Sequence, residues 1–324
     1  MEILQVCVVG LADTSSPHWV DIHTAKVIPI PDSLFWRIVF AVDLTTSLRG
    51  TSWLPGRNFD WTTSGVRALQ QRAGSRSAFL RSALITFVWQ YFIVDFFDTL
   101  NKRRHWPTNT MHPVTSLPWA EQLVSAFSVC VGTITAIIIE HSVFSATFVA
   151  LGAPTEGWPP MFATPFAAKS LSELWTRRWH AIFRRSFDRL SIPLIAVLPT
   201  RWRAPARPFI AFLLSALLHV LIMARLETND QFIHPDVADS SILKFFIAQP
   251  FALIVEHTII GPLARRFLPK EWQTLPTQVW AWSSLLFSGR YWADVWVRRG
   301  LWGHEEKVVG FSVVRGLWKG KWVV

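Results

Sequence analysis

Three patterns in this 324-residue chain carry side chains able to do chemistry. The first is His219, inside the apolar run from Phe209 to Met223 with no charged neighbour before Arg225. Ionisable groups at membrane depth are costly and face an interior cavity, so a functional role is the first expectation. An imidazole among apolar groups is kept neutral and can accept a proton; the alternative is a packing histidine bonded to a carbonyl of another helix. The second pattern is Ser170-Leu171-Ser172-Glu173-Leu174-Trp175-Thr176-Arg177-Arg178-Trp179-His180. Its bland alternative is a basic interfacial helix without chemistry. The third is Asp95-Phe96-Phe97-Asp98, two carboxylates at i,i+3 that could hold Mg²⁺ for prenyl transfer. Such a site needs a second acidic motif, and Asp236-Val237-Ala238-Asp239 lies in a polar, proline-containing loop that suits it poorly. The pair alone proves little, and the bland reading of Asp95 and Asp98 is a polar helix end near the membrane interface.

These side chains must be positioned by membrane helices. The sequence is 51% hydrophobic and 17% charged, with 19 Trp and 24 Phe; soluble proteins of this size carry roughly 25% charged residues. Trp favours bilayer interfaces, and here it stands beside Arg or Pro at the ends of apolar runs, as at Trp106-Pro107 and Trp202-Arg203. The net charge of +10 is scattered between apolar segments rather than gathered into one stripe. That pattern fits loops held at anionic headgroups and argues against nucleic acid as a partner. Cys7 and Cys130 form neither a metal-binding pattern nor a disulfide framework. Ile3 to Ala12 lacks a preceding positive charge and does not read as a signal peptide.

Arg81–Leu100, Leu123–Glu140, Pro208–Met223, Ile242–Leu263 and Val279–Val297 are the clearest membrane segments. Leu34–Leu48, Val143–Gly152 and Ile192–Leu198 are weaker ones, tilted, re-entrant or interfacial. The expected fold is therefore all-α, a polytopic transmembrane helix bundle of about six to eight membrane segments, with residues 1–324 as a single membrane-embedded domain. Ser170 and Glu173 stand in capping-box spacing, so a helix should begin at Ser170. Leu171, Trp175, Trp179, Ile182, Phe183 and Leu190 then share one face, and Arg177, Arg184 and Asp188 the other, which predicts an interfacial amphipathic helix over 170–190. His180 falls at the edge between the faces. Orientation is contradictory: Arg49 to Arg81 is strongly basic, yet Lys102-Arg103-Arg104 follows the next span.

The run from Ser170 to His180 resembles the S-L-R-E-F-W-x-R-R-W-H signature of the wax-synthase-like branch of the membrane-bound O-acyltransferases, whose fungal members include acetyltransferases of meroterpenoid biosynthesis. It matches at Ser170, Leu171, Glu173, Trp175, Arg177, Arg178, Trp179 and His180, and departs at Ser172, Leu174 and Thr176. Weaker correspondences follow in order along the chain. Phe35-Trp36-Arg37 with Leu48-Arg49-Gly50-Thr51-Ser52-Trp53 resembles the family's entry segment, Ser215 to His219 resembles S-G-x-x-H with Ala216 for Gly, and Phe245 to Glu256 resembles a helix ending in an acid.

The resemblance implies transfer of an acyl group, acetyl in many fungal relatives, from acyl-CoA to a hydroxyl of a lipophilic acceptor of the terpenoid or meroterpenoid class, in the endoplasmic reticulum. Under it, His219 is the candidate base and His180 orients the acyl-CoA or bonds its thioester carbonyl, or the two roles are exchanged. Arg177, Arg178 and Arg184 become partners for CoA phosphates, with Trp175 and Ser215 beside them on the substrate path. Neither a bound metal nor a covalent acyl-enzyme is required. The rival readings are a long-chain wax-ester synthase, a Mg²⁺-dependent prenyltransferase, and a non-catalytic transporter in which Pro250 breaks a helix beside His219. On the acyltransferase reading, His180→Ala is expected to lower turnover sharply in a membrane assay; a change confined to acyl-CoA affinity would move His180 from catalysis to binding.

Overall fold

The computed structural model describes residues 17–70, 74–104, 106, 112–179, 182–224, 239–303 and 309–323. Ile3–Ala12, His180 and Asp236 to Ala238 lie outside them. The described residues are mostly helical. In chain order the helices are α1 (Leu34–Thr46), α2 (Ser64–Gln70), α3 (Arg76–Asn101), α4 (Trp119–Ala150), α5 (Leu171–Glu173), α6 (Arg184–Ala196), α7 (Thr200–Met223), α8 (Ser240–Val255), α9 (Gly261–Phe267), α10 (Thr274–Arg298) and α11 (Val313–Lys319). A small sheet departs from the all-helical expectation: β1 (Trp19–Asp21) pairs antiparallel with both β2 (Val27–Ile28) and β3 (Arg57–Phe59).

Among the described residues, four helical stretches are long and apolar enough to cross a bilayer: α3, α4, α7 and Ser240–Phe267, the last running from α8 through a π-helical turn into α9. Along α3, Leu84, Ile85 and Trp89 are each more than 60% exposed. Such a row is costly against water and needs acyl chains around it. α4 corrects the expectation of two segments meeting near Glu140. Nothing between Glu140 and Val143 breaks a helix, and one helix runs through its 32 residues. α1 has only 13 residues, about 20 Å, too short to cross upright. α10 is long enough, but it carries Ser284, Ser288, Arg290 and Asp294 and buries the last three of these in its own unit.

The chain divides into two compact units. One is drawn from the described residues of Met1–Phe87, Glu140–Pro165 and Arg177–Ala211, the other from those of Val88–Ile139, Phe166–Thr176 and Phe212–Val324. In the first, the sheet and α1 close around Trp19, Phe40 and Phe59, with the Trp19 and Phe40 rings edge to face at 5.0 Å. Asp43, fully buried in α1, gathers the loop after it. Its carboxylate accepts hydrogen bonds from Trp19 Nε1 (2.8 Å), Ser52 Oγ (2.6 Å), Ser47 Oγ (3.0 Å) and the Trp53 amide (3.2 Å). Four donors offset the cost of burying the charge. Gly50 sits in this loop at φ 78°, with its carbonyl taking the Phe59 amide and the Thr62 hydroxyl; a side chain there would meet both an unfavourable backbone and Thr62 Oγ1. Arg49, next door, donates to the carbonyls of Pro159 and Pro160. Burial lowers its guanidinium to about 10, so it stays charged at neutral pH.

In the second unit the core is built from α8, α10 and parts of α4 and α7, with Val129, Ala216, Ile242, Phe246, Trp292 and Val295 buried together. One edge is ionic: Arg298 donates to Asp294 (3.0 Å) and to Asp239 (2.6 Å), and Arg299 reaches Asp239 at 3.3 Å. Replacing Asp43 with Ala strands four donors, each costing about 1–3 kcal/mol when buried without an acceptor. Asp43→Ala is therefore expected to melt well below the parent in detergent, and Asp43→Asn to fall between them; equal melting of all three would refute this role.

Candidate active site

The signature segment starts where the spacing places it. Ser170 has extended backbone, and its hydroxyl accepts from the Glu173 amide at 3.0 Å, while the Glu173 carboxylate accepts from the Lys169 amide at 2.8 Å. This is close to a capping box. The first two amides of the turn are satisfied from elsewhere in the unit. Glu256, buried within the π-helical turn that follows α8, accepts from Leu171 N at 2.6 Å and from Ser172 N at 3.0 Å. A carboxylate at a helix start is favoured by both hydrogen bonding and the peptide dipoles.

Beyond Glu173 the structure corrects the continuous amphipathic helix expected over 170–190. Leu174–Arg178 winds as a π-helical turn, and regular helix resumes only at Arg184, with Phe183 as its N-cap. The cause is a tertiary contact: the Arg178 carbonyl accepts from the Ala163 amide at 3.1 Å and so joins a loop instead of continuing a helical ladder. Expanded turns of this kind are common at functional sites.

Trp175 leads to the second candidate. Its indole N–H donates to Gln249 Oε1 at 3.3 Å, and Gln249 in turn donates to Ser288 Oγ (3.0 Å) and to the Phe245 carbonyl (2.9 Å). Gln249 is 1% exposed in an apolar helix, and each of its bonds is one that lipid could not supply. The Trp175 ring meets Phe212 edge to face at 5.5 Å. Two turns along from Phe212 on α7 is His219.

His219 is held on three sides. Its Nδ1 lies 2.7 Å from the Ser215 carbonyl, and its ring packs 4.5 Å from Phe246 and 5.3 Å, edge to face, from Trp292. A carbonyl only accepts, so Nδ1 carries the proton and donates it. In the neutral ring Nε2 then holds a lone pair, the arrangement a general base needs. The carbonyl belongs to His219's own helix, so α7 by itself sets the tautomer. Ser215 contributes through its backbone.

Trp175, Ser215 and His219 thus share one unit. Arg177, Arg178 and Arg184 belong to the other, and His180 lies outside the described residues. Arg178 Nη1 donates to the Ala163 carbonyl (3.0 Å) and to the carbonyl (3.1 Å) and hydroxyl (2.9 Å) of Thr164, which ties the loop to the signature. Trp179 packs edge to face on Phe162 at 5.2 Å. Arg177 and Arg184 are exposed.

The acidic pair Asp95 and Asp98 is engaged elsewhere. Asp95 is fully buried and accepts from Ser312 Oγ and from the Val314 amide (2.9 Å), and Asp98 pairs with Lys102 at 3.1 Å. Asp239 caps α8 through the Ser241 amide and pairs with the two arginines. Sequence spacing assigns no role to Gln249, Ser288 or Trp292. A polar amide before Pro250 in an apolar run was the available signal.

Comparison with known proteins finds relatives of this chain. The family described as membrane bound O-acyl transferase matches residues 158–247, which include the signature and His219. Acetyltransferase atnC of an Arthrinium species is 25% identical over 284 residues, covering 79% of this chain and 62% of its own length. Acetyltransferase spyB of Aspergillus fumigatus is 24% identical over 257 residues (72% and 41%), and acetyltransferase eriL of Hericium erinaceus 26% over 196 residues (56% and 47%). The chain spans less than two thirds of the length of each of these relatives. No solved structure matches it. The resemblance to the membrane-bound O-acyltransferases, and among them to fungal acetyltransferases, is shown by these matches.

Removing the Glu256 acceptor leaves two helix-start amides without a partner, at about 1–3 kcal/mol each. Glu256→Ala is expected to melt below Glu256→Gln in detergent, because the amide side chain still offers one acceptor. Identical melting of these two variants would show that the bonds to Leu171 and Ser172 do not hold the signature in place.

Proposed function

We propose that this chain is an acyl-CoA-dependent O-acyltransferase that esterifies a hydroxyl of a lipophilic acceptor, with acetyl as the acyl group and a terpenoid or meroterpenoid as the acceptor. The observation that carries the reading is the His219 tautomer: with Nδ1–H committed to Ser215, Nε2 is the basic atom of an imidazole set among Phe246 and Trp292. An alcohol is a weak nucleophile towards a thioester, and a positioned base contributes about 10²–10⁴-fold. Acetyl is preferred over a long wax-type chain because all three relatives named above are acetyltransferases.

In the reaction, His219 Nε2 takes the hydroxyl proton as the alcohol oxygen bonds to the thioester carbonyl carbon. The tetrahedral oxyanion collapses, the C–S bond breaks, and the imidazolium returns its proton to the departing sulfur. An ester and free CoA result. His180 is assigned to the thioester carbonyl, where a donor stabilises charge as it develops. Arg177 and Arg184 are assigned to CoA phosphates, which their exposure permits. Arg178 keeps the segment in place through Ala163 and Thr164. Trp175 borders the acceptor path, as does Ser215.

The whole chain is taken as one acyltransferase domain, since the signature supplies residues to both units. It is read as a multi-pass protein of the endoplasmic reticulum. The four apolar helical stretches, with α10 and tilted or re-entrant α1 and α6, would give seven membrane segments, within the six to eight expected.

Microsomes carrying the chain, supplied with labelled acetyl-CoA and a panel of terpenoid alcohols, are expected to release CoA and form labelled ester in the presence of EDTA. His219→Ala should insert normally and lose about 10²–10⁴-fold in transfer. Near-normal turnover of that variant would remove His219 as the base, and an EDTA-abolished activity would point to the metal-dependent alternative.

A further inference from the structure

Residues 309–323 form a closed knob on the last turns of α3. Phe311 and Val323 pair as an antiparallel bridge, Ser312 N donates to the Trp322 carbonyl at 2.8 Å, and α11 lies between them. Gly320, at φ 67°, turns the chain back by donating its amide to the Gly316 carbonyl. Trp322 then folds flat over Gly316, where no Cβ would fit, and stacks on Phe311. The knob is bolted to α3 at several depths. Tyr91 donates its hydroxyl to the Phe311 carbonyl, Asp95 caps α11 through Ser312 and Val314, and the Arg103 guanidinium lies 3.4 Å from the Trp318 ring centroid.

This rigid piece turns apolar side chains outward. Leu317 is 77% exposed, Val323 69% and Trp318 54%, and Lys319 and Lys321 are exposed beside them. A fold that spends a buried carboxylate to hold Trp, Leu and Lys in the open is presenting a surface, and the mixture of rings and amines matches the headgroup zone of a bilayer. Its height agrees. α3 is one of the four bilayer-length helices, and the knob is attached along its C-terminal portion, at Tyr91 and Asp95, and at Arg103 just past its end.

We propose that residues 309–323 are a membrane-interface anchor for an anionic leaflet, with Leu317, Trp318 and Val323 seated at the boundary of headgroups and acyl chains and Lys319 and Lys321 meeting the lipid anions. The anchor would fix the depth of α3 whatever reaction the chain performs. Each lysine near such a surface adds an attraction to the lipid anions that salt screens.

The test uses the full chain in which Cys7 and Cys130 are replaced by Ser, Leu317→Cys is labelled with an environment-sensitive nitrobenzoxadiazole dye, and the protein is reconstituted in vesicles of phosphatidylcholine alone or of equimolar phosphatidylcholine and phosphatidylserine. The expected result is blue-shifted emission, quenched more by nitroxide lipids labelled near the headgroup than by those labelled at the chain end, and more strongly in the anionic vesicles. Adding Lys319→Glu and Lys321→Glu should remove the extra quenching in anionic vesicles, as should high salt. Water-like emission would overturn the proposal. So would blue emission without lipid quenching, which means that protein or a second copy of the chain covers the face, or quenching greatest from the chain end. None of these readouts depends on acyl transfer, so the outcome is independent of the proposed function.

Discussion

The contact between the Glu256 carboxylate and the amides of Leu171 and Ser172 is the constraint on which the second unit's arrangement turns. A helix start within a membrane protein exposes donors that lipid cannot satisfy. Ser170 serves one of them from within the segment, and Glu256 brings the others under the control of the helix formed by α8 and its π-helical extension. Two turns back along that helix, Gln249 binds Trp175 and Ser288. Three segments far apart in sequence are therefore fastened by polar bonds whose loss would leave buried groups empty, while the apolar contacts around them are adaptable in shape.

The same helix also sets the environment of the candidate base. Phe246 lies one turn before Gln249, so the face that receives Trp175 also presents a ring to His219. Trp292, four residues beyond Ser288 on α10, closes the other side. Position and tautomer thus have different sources: neighbouring helices place the ring, and the Ser215 carbonyl of α7 decides which nitrogen carries the proton. Division of this kind allows the neighbouring rings to change without altering which nitrogen carries the proton.

Buried carboxylates recur as organisers. Asp43 gathers the entry loop, Asp95 holds the 309–323 knob, and Asp239 with Asp294 receives Arg298. In each case the acid accepts several donors from a loop or a helix start, which compensates its desolvation and makes the geometry specific. The entry segment is a good example of partial legibility. Phe35 to Trp53 stands out by its motif, yet the residue that organises it is Asp43, which lies in the gap between the quoted pieces. In sequence Asp95 is open to a metal or a polar helix-end reading, because its partner Ser312 lies 217 positions away.

Local chemistry in the sequence determined the helical membrane character and the start of a turn at Ser170 and singled out His219 as a candidate, because hydropathy, capping and the cost of an imidazole among apolar groups are written in neighbouring residues. The continuity of α4 follows from the absence of a helix breaker near Glu140, but the interruption after Arg178 was decided by tertiary structure, by a loop that takes the Arg178 carbonyl. So were the roles of Gln249, Glu256 and Asp95, since a buried polar group's function is set by the distant partner that satisfies it, and no local pattern records that partner.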